Sequence, residues 1–282
     1  MKLTQEWLAQ LPLTGIEEVR PVNGGDINQA YKISTSTSRY FLKVQPENNA
    51  NFFKHEINGL QNLAKVVVTP KVIASGTIEN AGYLILAWLD FKTGNDAELG
   101  RAVASVHRLT APQFGLENNF TEGMLPKINT WQANWADFYV NQRLEPLVRL
   151  AKQKRLWNTQ RERLVKHLEE IIYQDSRTRK ITPSLLHGDL WRGNVAFLKD
   201  GRPVLIDPDI FYGDREMDLA MTKLFGGFSA DFYTAYNTAF PLPENYQKRM
   251  AWYQVYYLLA HLNLFGERYG SSLDTVLIEA VK

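Results

Sequence analysis

The sequence predicts an α+β fold in two lobes: an N-terminal antiparallel β-sheet lobe with one main helix, and a larger, mostly helical C-terminal lobe. Two observations carry this expectation. Short β-rich segments separated by turn residues fill the first third of the chain, whereas long stretches with helical apolar spacing fill the remainder. Only one late pair of short strands, 195–198 and 204–206, interrupts the helical part. The change of pattern puts the boundary near residues 88–95, with an N-terminal lobe of 1–89 and a C-terminal lobe of 90–282 working as one unit. A chain of 282 residues can bury a core large enough for this.

The first seven residues resemble a short amphipathic helix and lack the apolar run of a secretion signal. Residues 16–22, 29–34 and 39–44 read as an antiparallel meander, turned at Asn23-Gly24-Gly25-Asp26 and at the Ser/Thr run 34–38. In 50–63, Phe52, Phe53, Ile57, Leu60 and Leu63 recur at helical spacing, so one face of this helix should pack on the meander. Segments 72–76 and 83–88 complete a sheet of about five strands. Thr93 with Asp96 reads as a helix-start box before Leu99, Val103, Val106 and Leu109. Helical patterns follow at 131–150, 155–173, 216–225, 229–240 and 245–269. The two late strands flank Asp200-Gly201, a hairpin-turn signal, which sets Asn194 at the entry of one strand and Asp207 at the exit of the other, where both can meet one ligand.

Charge and composition exclude several classes. Lysine plus arginine total 32 against 30 aspartates plus glutamates, a net charge of +2, too small for a dedicated nucleic-acid or anionic-membrane binder. Neither partner is therefore expected, and phosphate recognition should be local. The absence of cysteine excludes disulfides, thiolate nucleophiles and cysteine-held metals, and suits a cytoplasmic location. No apolar run approaches a membrane span, and no motif specifies an oligomeric state.

The chemistry concentrates in Leu186-His187-Gly188-Asp189-Leu190-Trp191-Arg192-Gly193-Asn194 and the later Ile206-Asp207-Pro208. These are the parts of a phosphotransferase: Asp189 to orient or deprotonate a hydroxyl, Asn194 and Asp207 as hard oxygen ligands for magnesium on a nucleotide such as ATP. His187 reads as an imidazole that holds the loop by hydrogen bonds rather than as a base or metal ligand. Lys43, in Phe41-Leu42-Lys43-Val44, and Glu56, on the following helix, form the strand-lysine and helix-glutamate pair that steadies nucleotide phosphates; a lone strand lysine is otherwise an ordinary edge residue. Gly24 and Gly25 fit either a backbone approach to phosphate or a plain hairpin turn, with Asp26 adding a negative charge there. Trp88 and Leu89 end the sheet, where connector backbone can take an adenine edge; their side chains do not separate that from a simple linker. Trp131, Trp135 and Phe138 are spaced as a helix core stripe.

These residues resemble the fructosamine kinase family, the ketosamine 3-kinases, within the protein-kinase-like group that includes aminoglycoside and choline phosphotransferases. The likeness spans nearly the whole chain. It runs through Gly24-Gly25-Asp26-Ile27-Asn28-Gln29-Ala30-Tyr31, the Lys43 strand, Leu99-Gly100-Arg101-Ala102-Val103-Ala104-Ser105-Val106-His107, the Asp189 and Asp207 segments, and Tyr212-Gly213-Asp214-Arg215-Glu216-Met217-Asp218-Leu219-Ala220-Met221. Trp191 sets the family apart from other small-molecule kinases, as does a middle pattern of Pro126, Asn129, Trp131, Trp135, Phe138 and Arg143-Leu144.

The resemblance implies a protein-kinase-like fold and ATP- and Mg2+-dependent phosphorylation of the 3-hydroxyl of a ketosamine. The acceptor would be a ribulosamine- or fructosamine-type glycated amine, as a small molecule or on a protein, and phosphorylation would promote deglycation. It further implies that Asp189 engages the acceptor hydroxyl, Asn194 and Asp207 bind magnesium, Lys43 with Glu56 steadies the phosphates, and Asp218 braces the catalytic loop. Trp191, Trp131 and Trp135 fall where the sugar-amine pocket is shaped. Two positions depart from the pattern. Ala87 stands where relatives are often acidic, and Asp26 stands where some carry cysteine, so a thiol switch is impossible here. The rival reading is another small-molecule kinase of this fold, for an aminoglycoside, choline or sugar. The few acids and many aromatics of 120–149 argue against a cationic antibiotic. A binding module without turnover has no support, because every expected polar group is present.

Overall fold

The computed structural model describes residues 3–22, 28–46, 48–122 and 125–282. The chain divides into two compact units, Met1–Asn95 with Val195–Pro208, and Asp96–Asn194 with Asp209–Lys282.

In the first unit, α1 (Gln5–Leu8) is a single turn capped by Thr4, whose hydroxyl accepts the Trp7 N–H at 3.2 Å. It delivers Trp7, 1% exposed, into the core. Strands β1 (Ile16–Pro21), β2 (Gln29–Thr35) and β3 (Arg39–Gln45) form the expected meander. A single turn, Ala50–Phe53, capped by Asn49, leads into α2 (Lys54–Leu63). Strands β4 (Val72–Ile78) and β5 (Ala81–Ala87) complete an antiparallel sheet in the order β1-β2-β3-β5-β4. The central β3 is covered on both faces. Trp7, Ile33, Leu42, Val44 and Ile85 pack on one side; Phe53 and Leu60, from the α2 segment, pack with Leu84 and Leu86 on the other. Lys43 lies opposite Leu84 in register, so strand alternation turns it to the α2 face. A two-residue strand, β6 (Phe91–Lys92), ends this part.

In the second unit, α3 (Asp96–His107) is followed by a short hairpin, β7 (Phe120–Glu122) and β8 (Leu125–Lys127). The helix expected over 131–150 begins instead at Trp135, because the Asn134 side chain caps the Ala136 N–H at 2.7 Å. It runs as α4 (Trp135–Tyr139) through a π-turn, Val140–Leu144, into α5 (Glu145–Gln153), and Trp131 lies ahead of it. Next come α6 (Thr159–Ser176), capped by Asn158, and β9 (Ser184–Leu186).

The chain then returns to the first unit as the expected hairpin, β10 (Val195–Leu198) and β11 (Pro203–Leu205), with Val195 paired to Leu205 and β6 added at its edge. Gly201, at φ +94°, supplies the left-handed turn. Back in the second unit, β12 (Phe211–Gly213) pairs with β9, followed by α7 (Glu216–Leu224), α8 (Ala230–Ala239) and α9 (Tyr246–Phe265). The expected helix over 245–269 stops at Phe265 because Gly266 turns at φ +79°; a single 3-10 turn, Glu267–Tyr269, takes up the rest of that span, and α10 (Gly270–Ala280) follows it. Helix α9 is the core element, burying Tyr253, Val255, Leu258, Leu259 and Leu262 between its neighbours. Each such aliphatic side chain stabilises the fold by about 1.5–3 kcal/mol relative to exposure. Among the described residues, no helix is long and apolar enough to cross a membrane.

Candidate active site

The first unit gathers three of the sequence-designated residues. Lys43 is 3% exposed, and its ammonium donates to Glu56 at 2.8 Å and to Asp207 at 2.5 Å. Burial pushes the Lys43 pKa down, but Glu56 and Asp207 outweigh it and hold the ammonium above its ordinary value. Burial raises Glu56, with the Lys43 charge opposing and Asp207 reinforcing the rise. Helix α2 fixes this geometry twice. It carries Glu56, and at Gly59 it approaches Pro208 so closely that a Cβ would sit 2.6 Å from the proline ring. Asp207 itself adopts φ +51°, a left-handed conformation that aspartate tolerates better than most residues.

At the end of the sheet, the Trp88 N–H donates to the Arg39 carbonyl at 3.1 Å, and the indole N–H donates to Asp90 at 3.1 Å. Trp88 and Leu89 are half-buried. Gly24, Gly25 and Asp26 lie outside the described residues.

The second unit holds the Asp189 turn. Strand β9 ends at Leu186, and Gly188 reverses the chain at φ +85°. Leu190, fully buried, anchors the far side and leaves Asp189 half-buried. Asn194 turns its amide nitrogen to the Asp189 carbonyl at 2.9 Å and to its carboxylate at 2.8 Å. The amide nitrogen is thereby committed to Asp189, and the amide oxygen is the atom of this side chain that could serve a cation.

Asp218, fully buried near the start of α7, accepts the His187 N–H at 2.7 Å and the Gly188 N–H at 2.9 Å. Its third partner is His107, on α3, at 3.0 Å, whose other ring nitrogen meets the Tyr236 hydroxyl at 2.8 Å. Asp218 is therefore a brace. His187 is buried, and its Nδ1 accepts the Asp189 N–H at 3.3 Å, the loop-holding role that the sequence favoured. Asp96 does not serve only its own helix: its carboxylate takes Arg192 at 2.9 Å and the Ser229 N–H at 2.8 Å, tying the Asp189 loop to the starts of α3 and α8.

The three tryptophans separate. Trp191 is 43% exposed, and its indole lies over Gly193. Trp131 is half-buried beside Tyr212, with ring centroids 6.1 Å apart. Trp135 is corrected from pocket to core: it is 3% exposed, stacks on Phe138 and Tyr139, and donates its indole N–H to Tyr253 at 3.1 Å. That is the core stripe which its spacing predicts. Arg143, also buried, lies between Phe138 and Phe211 and bonds Asn129 at 2.6 Å, which secures the segment ahead of α4.

Sequence reasoning missed His107 as the outer support of Asp218, and Lys127 and Asp209 as a buried pair. Both had signals. His107 stands one helical turn after Val103 on the buried face of α3, and Lys127 falls in phase with buried Leu125 and Asn129.

A family model described as Fructosamine kinase matches residues 1–282. The chain is 57% identical over 279 residues to the "Probable ketoamine kinase" of Lactiplantibacillus plantarum, covering 99% of this chain and 100% of that one. It is 34% identical over 292 residues to the chloroplastic protein-ribulosamine 3-kinase of Arabidopsis thaliana, covering 97% and 86%. The crystal structure of a Thermobifida fusca protein assigned to the fructosamine-3-kinases superposes with a TM-score of 0.84 at 28% identity, covering 94% of each chain. The fold is the protein-kinase-like α+β fold predicted from the sequence.

Proposed function

The chain belongs to the fructosamine kinase family, and from that premise we propose that it transfers the γ-phosphoryl group of ATP to the 3-hydroxyl of a ketosamine. The observation that carries this reading is the Asp189 turn. It presents a half-buried carboxylate, held by Asn194 and backed by Asp218, in a chain whose family phosphorylates hydroxyl groups.

In the proposed reaction, the Asp189 carboxylate accepts a hydrogen bond from the sugar 3-hydroxyl, aligns its oxygen with the γ-phosphorus, and takes the proton as the new P–O bond forms and the bond to the leaving ADP breaks. Lys43, kept charged by Glu56, supplies its ammonium to the nucleotide phosphates. Residues 1–89 serve the nucleotide, with Trp88 and Leu89 offering connector backbone to the adenine; residues 90–282 serve catalysis and the acceptor. Asn194 and Asp207 would each offer an oxygen ligand to Mg2+, which would neutralise charge on the phosphates. Trp191, which is exposed, and Trp131, which is half-buried, fit contact with the glycated amine. The acceptor is a small ketosamine or a glycated amine on a protein, met in the cytoplasm, and phosphorylation next to the carbonyl carbon loosens the sugar from the amine.

The test is a panel of acceptors with labelled ATP: ribulosamine and fructosamine model compounds beside choline and an aminoglycoside. The reading predicts phosphate on the ketosamines. Transfer only to choline or the aminoglycoside contradicts it.

A further inference from the structure

Besides Asp218, a buried ion pair holds the Asp189 turn. Lys127, the last residue of β8, is 7% exposed; its ammonium donates to the Asp209 carboxylate and, at 2.9 Å, to the Tyr256 hydroxyl on α9. A buried ammonium is tolerated only when paired and hydrogen-bonded, so its surroundings hold it in a narrow geometry. Asp209 is itself pressed against the turn. Its N–H donates to the His187 carbonyl at 2.8 Å, and its own carbonyl lies so near Gly188 that any Cβ there would overlap it.

We propose that Lys127 is a positioning residue for phosphotransfer: through Asp209 it fixes the His187-Gly188 turn, and with it the reach of the Asp189 carboxylate. The inference rests on Asp189 acting at the acceptor hydroxyl, as read above. Asp218 holds the N–H groups of the turn, whereas Asp209 holds the His187 carbonyl. The two grips reach the turn from different elements. Asp218 stands on α7, but Lys127 stands on the β7–β8 hairpin, in the segment that leads to Trp131. The hairpin is thereby coupled to the catalytic turn, and a change in one is transmitted to the other. A misplacement of about 1 Å at a catalytic group can lower turnover about 10²-fold.

The test compares the wild type with Lys127→Met and with the double variant Lys127→Met/Asp209→Asn, reading kcat, both KM values and Tm with ATP and a ribulosamine model compound. Lys127→Met takes the ammonium away from a buried carboxylate, so both Tm and kcat should fall. The double variant removes both charges at nearly constant volume. Its Tm should recover, while its kcat stays at least about tenfold below wild type, with KM for ATP within about twofold. Recovery of kcat together with Tm in the double variant would show that Lys127 only neutralises a buried charge, and would overturn the proposal; so would an unchanged kcat in Lys127→Met. Absence of wild-type transfer to the ketosamine would overturn the functional reading along with it, whereas kcat recovery beside normal wild-type transfer overturns the positioning role alone.

Discussion

Asn194 spends its amide nitrogen on Asp189, and Lys43 spends its ammonium on Glu56 and Asp207. Each arrangement makes a residue-level prediction. Replacing Asp189 by Ala removes the group that orients the hydroxyl, so kcat should fall by about 10²–10⁴ while nucleotide affinity stays within a fewfold. Steady-state kinetics with calorimetric nucleotide titration check it, and unchanged transfer would remove Asp189 from its role. Lys43→Met leaves two carboxylates facing each other where phosphates are to bind. KM for ATP should rise at least about tenfold with little change in KM for the acceptor.

These residues were legible in the sequence because a lysine on a strand, a glutamate on the next helix, and spaced Asp and Asn residues each keep their chemistry visible in order. Lys127 and His107 were not, since a single charged or titratable residue on a buried face acquires meaning only from a distant partner, here Asp209 and Asp218.

At the scale of elements, α2 is the informative case. A glycine in a helix interior costs about 1 kcal/mol relative to alanine, yet Gly59 is required by the close approach of Pro208. Gly59→Val should therefore push α2 from the Asp207-Pro208 segment, disturb the Glu56–Lys43 pair, and lower Tm by several degrees together with ATP affinity. A thermal melt with and without nucleotide reads both effects; a gain in Tm would contradict the packing account.

The long amphipathic helices and the meander were legible because their periodicity spans many residues. The strands β6, β7, β8, β9 and β12 are two or three residues long, too short for alternation to register. Helix starts moved for a local reason that competes with apolar spacing: the Asn134 and Asn158 side chains cap α4 and α6 later than the pattern suggests.

At the scale of the whole molecule, the second unit closes around α9 with charges inside its core. Glu216 is raised to about 7 by burial and by the neighbouring Asp214, against two hydrogen bonds from Arg249 at 2.7 Å. Its ordinary value is 4.5, so between these limits the folded protein binds a proton that the unfolded chain releases. The stability owed to this group is full below pH 4.5 and is lost as pH rises through about 7. Relative to Glu216→Gln, the wild type should lose Tm steadily from about pH 5 to about pH 8, and a pH-independent difference would contradict the assignment.

The family and the fold join this scaffold to a hydroxyl kinase. The most direct measurement of the central claim is the position of the new phosphate after incubation of the protein with ATP and a ribulosamine model compound, read by phosphorus and carbon NMR. Phosphate on the 3-hydroxyl, absent with Asp189→Ala, is the predicted result; phosphate on another hydroxyl, or equal product with the Asp189 variant, would contradict it.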